Sequence, residues 1–380
     1  MIGDPPVVIV YIVRYPGPGS ARAEALGNSM FAALYADLAA LASRSLGIEV
    51  RFRTSTPSGD VPGPVPFGHA QHTAVFVLAD DLLVADRAWS SYVEGLAGSA
   101  GPADADLVVP VAITAVRNLP PGLGQHQAIR LAEVPEAGQE TVLLNRVMHD
   151  LCILLDPDAQ KVKVFLSYAR RDGRPIMEAV SNHLRFVAGL DDFFDTADVP
   201  DGTRFADFLK ERAGSLHALL AIQTDTYASR EWCRLEVLEA KRRHVPIVVL
   251  SAVNVSETRS FPYIGNTPVV RWCGDETSLR RVVRALLGEV LWRRYFPRRV
   301  EALCEEYNLD RGLQVFAHPP ELVTMLTYRA EMTAEGAAIG EYLYPDPPLG
   351  TEELQVLAQL DPDIAPVTPI ILQAREMRSS

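Results

Sequence analysis

Trp232 and Glu236 stand four residues apart in SREWCRLEVLEAKRR, where Trp232, Leu235, Val237, Leu238 and Ala240 supply the apolar content of a helical pattern. On a helix, residues four apart lie one above the other, so a carboxylate sits beside an indole. Ser229, just ahead, is the expected N-cap. The apolar run Ala218–Ile222 precedes it, short enough for a buried strand, with a polar turn (Thr224, Asp225, Thr226) between. In open α/β sheets ligands gather in the crevice outside the carboxyl ends of the strands. A helix that follows a strand brings its first residues to that crevice. A second polar loop, Ser167-Tyr168-Ala169-Arg170-Arg171-Asp172, leaves another expected strand, Val162–Tyr168, at the same end of the sheet.

The elements that must position these residues recur twice. Val7–Val13, Ile48–Arg53, Ala74–Leu78 and Leu107–Thr114 read as strands, separated by a helix over 21–45, a Pro/Gly-rich loop and a helix around Trp89. Val142–Leu155 reads as a closing helix and Asp156–Gln160 as a linker. The rhythm then restarts. Val162–Tyr168, Asp192–Phe194, Ala218–Ile222, Ile247–Leu250 and a weak Pro268–Arg271 are strands, with helices over Pro175–Ala188, Phe205–Ala213, the Trp232 segment and Leu279–Arg293. Strands alternating with helices imply parallel βαβ units and a doubly wound sheet. The fold expected is therefore α/β: two flavodoxin-like domains in tandem, 1–156 and 160–294, with a small α/β or irregular extension over 295–380.

The halves read as an internal duplication. TAVFVLADDLLVADRAW (Thr73–Trp89) lines up with HALLAIQTDTYASREW (His217–Trp232), and PVAITAV with PIVVLSAV. They differ at the candidate site: Val93, not a glutamate, follows Trp89 by four, and Glu94 is rotated by about 100° around a helix. The first copy is expected to be catalytically silent, serving assembly or sensing.

Composition narrows the classes. A formal charge of −12 argues against a general nucleic-acid binder, whose affinity comes from neutralising phosphates. Cys152, Cys233, Cys273 and Cys304 are scattered with no CxxC pair, so neither a disulfide framework nor a zinc site is indicated, and a reducing cytoplasm fits. Val7–Val13 is too short for a secretory leader's core, and no run of eighteen apolar residues predicts a membrane span. There is no GxGxxG or P-loop, so no dinucleotide is expected as a bound redox cofactor. In the extension, Val300–Tyr307, Pro320–Thr333 and Glu352–Gln359 read as helices and Ala338–Tyr344 as a strand, while Arg293, Arg294, Arg298 and Arg299 read as a solvated helix end.

Three motifs in order carry a resemblance. VFLSYARRDG (Val164–Gly173), FFDTADVPDGTRF (Phe193–Phe205, with Gly202 in place) and TDTYASREWCRLE (Thr224–Glu236) resemble the first box, the second box with its loop, and the Ser-x-x-Trp-Cys-x-x-Glu signature of bacterial TIR (Toll/interleukin-1 receptor) domains. The likeness covers about Lys161–Arg293 and is fainter over 1–156.

The resemblance implies cleavage of NAD+, as substrate rather than cofactor, at the nicotinamide–ribose bond. Glycoside hydrolysis ordinarily needs two carboxylates. Nicotinamide departs as a neutral molecule from a cationic pyridinium, so no acid is needed, and one carboxylate suffices to oppose the positive charge developing on the ribose. Glu236 is that candidate. Trp232 offers a stacking face. Tyr168, Arg170 and Arg171 suit a pyrophosphate, Ser167 and Asp172 orient the loop or the ribose, and Ser229 lines the same site. Asp198 and Phe205 belong to a loop that in the family packs on a neighbouring copy, implying self-association into an oligomer or filament. Cys233 reads as a packing residue, and Glu239 with Arg243 as a solvated ion pair. The function implied is an NAD+ glycohydrolase of antiphage defence, triggered by assembly. The alternatives are a cyclase making an ADP-ribose-type signal, a non-catalytic interaction scaffold, and a sensor whose first domain or extension binds a nucleotide signal or a defence-system partner.

Overall fold

The computed structural model describes residues 6–36, 48–56, 60–102, 105–115, 119–124, 127–158, 162–186, 194–197, 217–257, 259, 261–307, 313–336 and 339–379. The chain divides into two compact units, Pro5–Gln160 and Lys161–Ser380. Each is a flavodoxin-like, doubly wound α/β unit.

In the first unit β1 (Val8–Arg14), β2 (Glu49–Arg53), β3 (His72–Ala79), β4 (Asp106–Ala112) and the two-residue β5 (Ile129–Arg130) form a parallel sheet in the order β2-β1-β3-β4-β5. Val8–Val13 is buried throughout, as expected of a β-branched run covered on both faces. Helices α1 (Ala21–Phe31, continued by a wider turn over Ala32–Ala36), α2 (Asp81–Ala85), α3 (Arg87–Ser99) and α4 (Glu136–Leu154) flank it. The far half of the helix expected over 21–45 lies outside the described residues. Asp80 caps α2 and Asp86 caps α3, each accepting from backbone N–H groups of the first turn.

The second unit repeats the order. Here β6 (Val162–Tyr168), β7 (Phe194–Ala197), β8 (Ala218–Gln223), β9 (Ile247–Ser251) and β10 (Val269–Arg271) form the parallel sheet β7-β6-β8-β9-β10. Helices α5 (Arg174–Phe186) and α6 (Glu231–Arg242) accompany it. The strand order reverses between β6 and β8, the switch point at which such sheets open a crevice.

Helix α7 (Glu276–Tyr307) runs unbroken through Pro297 and across residue 294, where the sequence suggested the start of a separate extension. A proline costs a helix an N–H and a steric clash. Burial of Leu287, Val290, Leu291, Trp292, Tyr295, Phe296 and Val300 along this helix outweighs that cost. The arginine cluster is consequently no solvated helix end. Arg294 is buried, and Arg293 donates to the His244 carbonyl at 3.1 Å. Beyond α7, a second parallel sheet of β11 (Gln314–Val315), β12 (Glu341–Leu343) and β13 (Ala365–Val367) is joined by α8 (Leu322–Glu335), α9 (Thr351–Leu360) and α10 (Pro369–Ser379). Its core stacks Phe316 on Tyr342 at 3.6 Å between ring centroids. Lys241 of α6, buried, is tied to Glu321 at the start of α8 at 2.6 Å and to the Gly265 carbonyl at 2.7 Å. Among the described residues no helix is long and apolar enough to cross a membrane.

Candidate functional site

Residues of β6 alternate between the two faces of the sheet. Phe165 packs in the same buried cluster as Cys233, Val237 and Ala240 of α6, so Ser167, two positions on, faces α6 as well. The spacing of Cys233, Val237 and Ala240 is that of a helix stripe pressed on a sheet. Glu236, one residue before Val237, flanks that stripe with its carboxylate turned inward. Ser167 Oγ donates to Glu236 Oε2 at 2.5 Å. Trp232, one turn nearer the helix start, remains 57% exposed.

A second hydroxyl completes the arrangement. Tyr227, in the turn between β8 and α6, has no exposed surface, and its phenol oxygen lies 2.7 Å from Ser167 Oγ. Burial first, and then its neighbours Cys233 and Glu236, push its phenol well above the usual range, so it stays protonated. The Cys233 thiol is pushed up to about 12, by burial first and by Glu236 second. A thiol held neutral is not a nucleophile, and Cys233 serves packing.

The loop after β6 is fastened to the loop after β8 by Asp172. One carboxylate oxygen accepts from the hydroxyls of Thr224 and Thr226, each at 2.7 Å, and the other from the Thr226 N–H at 3.0 Å. Burial works to raise this carboxyl, but the hydrogen bonds from Thr226 and Thr224 outweigh it and hold the group below the usual carboxylate range. Gly173 closes the same turn, with its N–H on the Ala169 carbonyl at 2.8 Å. A Cβ there would meet that carbonyl oxygen at 2.9 Å, so the approach requires glycine.

Of the residues named from sequence, Ser167 and Glu236 touch directly, and Tyr168, the residue after Ser167, ends β6 half-buried. Arg170 and Arg171 are exposed in the turn that follows. Ser229 is not the N-cap: Arg230 holds that position, and the Ser229 hydroxyl donates to the Thr226 carbonyl at 2.6 Å, closing a short 3-10 turn before α6 begins. Asp198 and Phe205 lie outside the described residues. Tyr227, Thr224, Thr226 and Gly173 were not among the site residues expected from sequence. Their signal was present in the polar turn after an apolar strand, but which partner each hydroxyl would find depends on how β6 and β8 pair. A cavity of about 590 Å³ lined by Leu238, Tyr263, Leu322 and Leu326 shares none of these residues.

The arrangement holds an anion, fixed by a hydroxyl, at the edge of a switch-point crevice with an exposed indole one helical turn away. It can oppose a positive charge developing on a ligand. Residues 164–283 match the family model described as TIR domain. No curated protein matches the chain.

Proposed function

The chain contains a TIR domain over residues 164–283, and from that premise we propose that it is an NAD+ glycohydrolase with Glu236 as its catalytic residue. The observation that carries this reading is the Glu236 carboxylate, held at 2.5 Å by the buried Ser167 at the carboxyl end of β6, where the strand order reverses. Cleavage of the nicotinamide–ribose bond sends the bonding pair to the pyridinium ring, which leaves neutral. The ribose carbon becomes positive, and a preorganised carboxylate in a partly dry site opposes that charge. Water then adds at this carbon and releases a proton, giving ADP-ribose.

Trp232 supplies a flat apolar face for a ring of the substrate. Arg170 and Arg171 supply guanidinium groups for the pyrophosphate. The resemblance assigns Asp198 and Phe205 to the segment through which copies of the chain associate, so turnover is expected to rise with protein concentration. The cellular role proposed is depletion of NAD+ in antiphage defence.

The test is nicotinamide release from NAD+ by the full chain across protein concentrations. Glu236→Gln is expected to lower kcat by about 10²–10³-fold, as for loss of one preorganised electrostatic contact, with an unchanged melting temperature. Undiminished release by that variant excludes the mechanism. An assembled wild type without turnover favours the scaffold reading.

A further inference from the structure

We propose that Tyr227 is a positioning residue for this reaction, acting through Ser167 as a serial hydroxyl relay that orients the Glu236 carboxylate from inside the core. The proposal rests on the glycohydrolase reading above and adds to it a residue that no substrate can touch.

Proton counting sets the direction of the relay. A serine hydroxyl has a single proton to donate and two acceptor positions, whereas an ionised carboxylate only accepts. With Glu236 ionised, as the glycohydrolase reading requires, the 2.5 Å contact between Ser167 Oγ and Glu236 Oε2 uses the serine proton. With that proton committed, the 2.7 Å contact between Ser167 and Tyr227 requires the tyrosine to donate. The order is Tyr227 O–H to Ser167 Oγ–H to Glu236. Each donor in such a chain polarises the next, and the last bond is charge-assisted.

The surroundings keep the relay in this state. Tyr227 has no exposed surface and Ser167 is 1% exposed, so water does not compete for either hydroxyl. Burial holds the tyrosine phenol protonated. Tyr227 also follows β8 in the turn where Asp172 clamps the neighbouring Thr224 and Thr226, and its ring packs in the same buried cluster as Phe165 and Cys233. Glu236, by contrast, stands at the margin of its helix's buried stripe. A glutamate there has several rotamers open to it, and a bond from a rigid, buried donor selects one of them.

The experiment compares kcat and KM for nicotinamide release by the full-length wild type, Tyr227→Phe, Ser167→Ala, Ser167→Thr and the double variant Ser167→Ala with Tyr227→Phe, alongside thermal melting. Tyr227→Phe is expected to lower kcat by about tenfold and Ser167→Ala by about thirtyfold, consistent with loss of a neutral and a charge-assisted hydrogen bond, while KM stays within about twofold. Ser167→Thr, which keeps the hydroxyl, restores most of kcat. The double variant is no slower than Ser167→Ala alone, because the hydrogen bonds that link Tyr227 to Glu236 in the relay run through the serine. A purely structural tyrosine would lower melting without this kcat pattern. Wild-type kcat in Tyr227→Phe, or losses that multiply in the double variant, would overturn the proposal and leave the glycohydrolase reading standing. A wild type that releases no nicotinamide would remove both.

Discussion

The two α/β units have the same strand order and opposite crevices. Overlaying Thr73–Trp89 on His217–Trp232 places Val77 on Ala221, and their ladder partners Val13 and Ser167 therefore coincide. In the first unit Val13, Trp89 and Val93 belong to one buried cluster. Tyr15 and Tyr92 pack on Trp89, with ring centroids at 5.5 and 5.9 Å. In the second unit the same three places hold Ser167, Trp232 and Glu236, a hydrogen-bonded polar pair and an indole left in solvent. One sheet has closed its switch point with apolar side chains; the other keeps it polar at the expense of apolar burial. The scaffold offers the crevice, and three side chains decide whether it is core or site.

The largest effect expected from this difference is on stability. Trp89→Ala removes a core aromatic and is expected to cost about 3–5 kcal/mol, read as a lower urea midpoint. Trp232→Ala removes an exposed one and is expected to change stability by no more than about 0.5 kcal/mol, while lowering kcat/KM for NAD+. Equal stability losses for the two variants would mean that Trp232 is core after all, and the contrast between the crevices would fail.

Acid is expected to act next, on the unit that carries the polar site. His244 is pushed down to about 4, by burial first and then by the nearby Arg293 and His318. Between its ordinary value near 6.5 and about 4, the unfolded chain binds a proton that the folded chain refuses. The stabilisation from a neutral His244 is thus fully present above about pH 6.5 and is lost as pH falls, by at most about 3 kcal/mol near pH 4. Asp172, held below the usual carboxylate range, contributes above that range and is lost as pH falls through its own lower value. Protection of the Ile247–Leu250 amides, measured by hydrogen exchange relative to the intrinsic rate at each pH, is expected to fall between pH 7 and 4.5. His244→Asn, able to adopt the φ of 53° at this position, flattens the response. An unchanged acid response in that variant would move the sensitivity elsewhere.

How much of this was legible in the chain differs by kind of element. The β-branched runs Val7–Val13 and Ile247–Leu250 announced buried parallel strands, and the spacing of Trp232 to Glu236 announced a shared helix face, because both are local periodicities. The failures were places where tertiary contacts override local rules. Pro297 marks a helix end by its own chemistry, yet burial on both sides of it carries α7 through. Ser229 has the composition of an N-cap, but the nearby Thr226 carbonyl claims its hydroxyl. Nothing in the local sequence singled out Tyr227, because only the pairing of β6 with β8 brings Ser167 to it. In the small sheet the strand read over Ala338–Tyr344 is β12, whereas β11 and β13, of two and three residues, are too short to show a period.

The smallest effect expected belongs to a second carboxylate on the same helix. Glu239 follows Glu236 by three residues, and instead of the sheet it meets Arg243 at 2.7 Å and Arg242 at 3.6 Å. Such i,i+3 and i,i+4 pairs, here around a half-buried Glu239, contribute a few tenths of a kcal/mol. Glu239→Gln removes the same formal charge as Glu236→Gln, at nearly the same depth along α6. It is expected to shift the urea midpoint by about that small amount and to leave nicotinamide release at the wild-type rate. If Glu239→Gln slowed release as Glu236→Gln does, the chemistry would depend on the negative field of α6 as a whole. The contact with Ser167 would then lose its meaning, and a glutamate at Val93 would be all that separates the first unit from the second. If release is unchanged, charge alone does not make the site; the buried hydroxyl that receives it does.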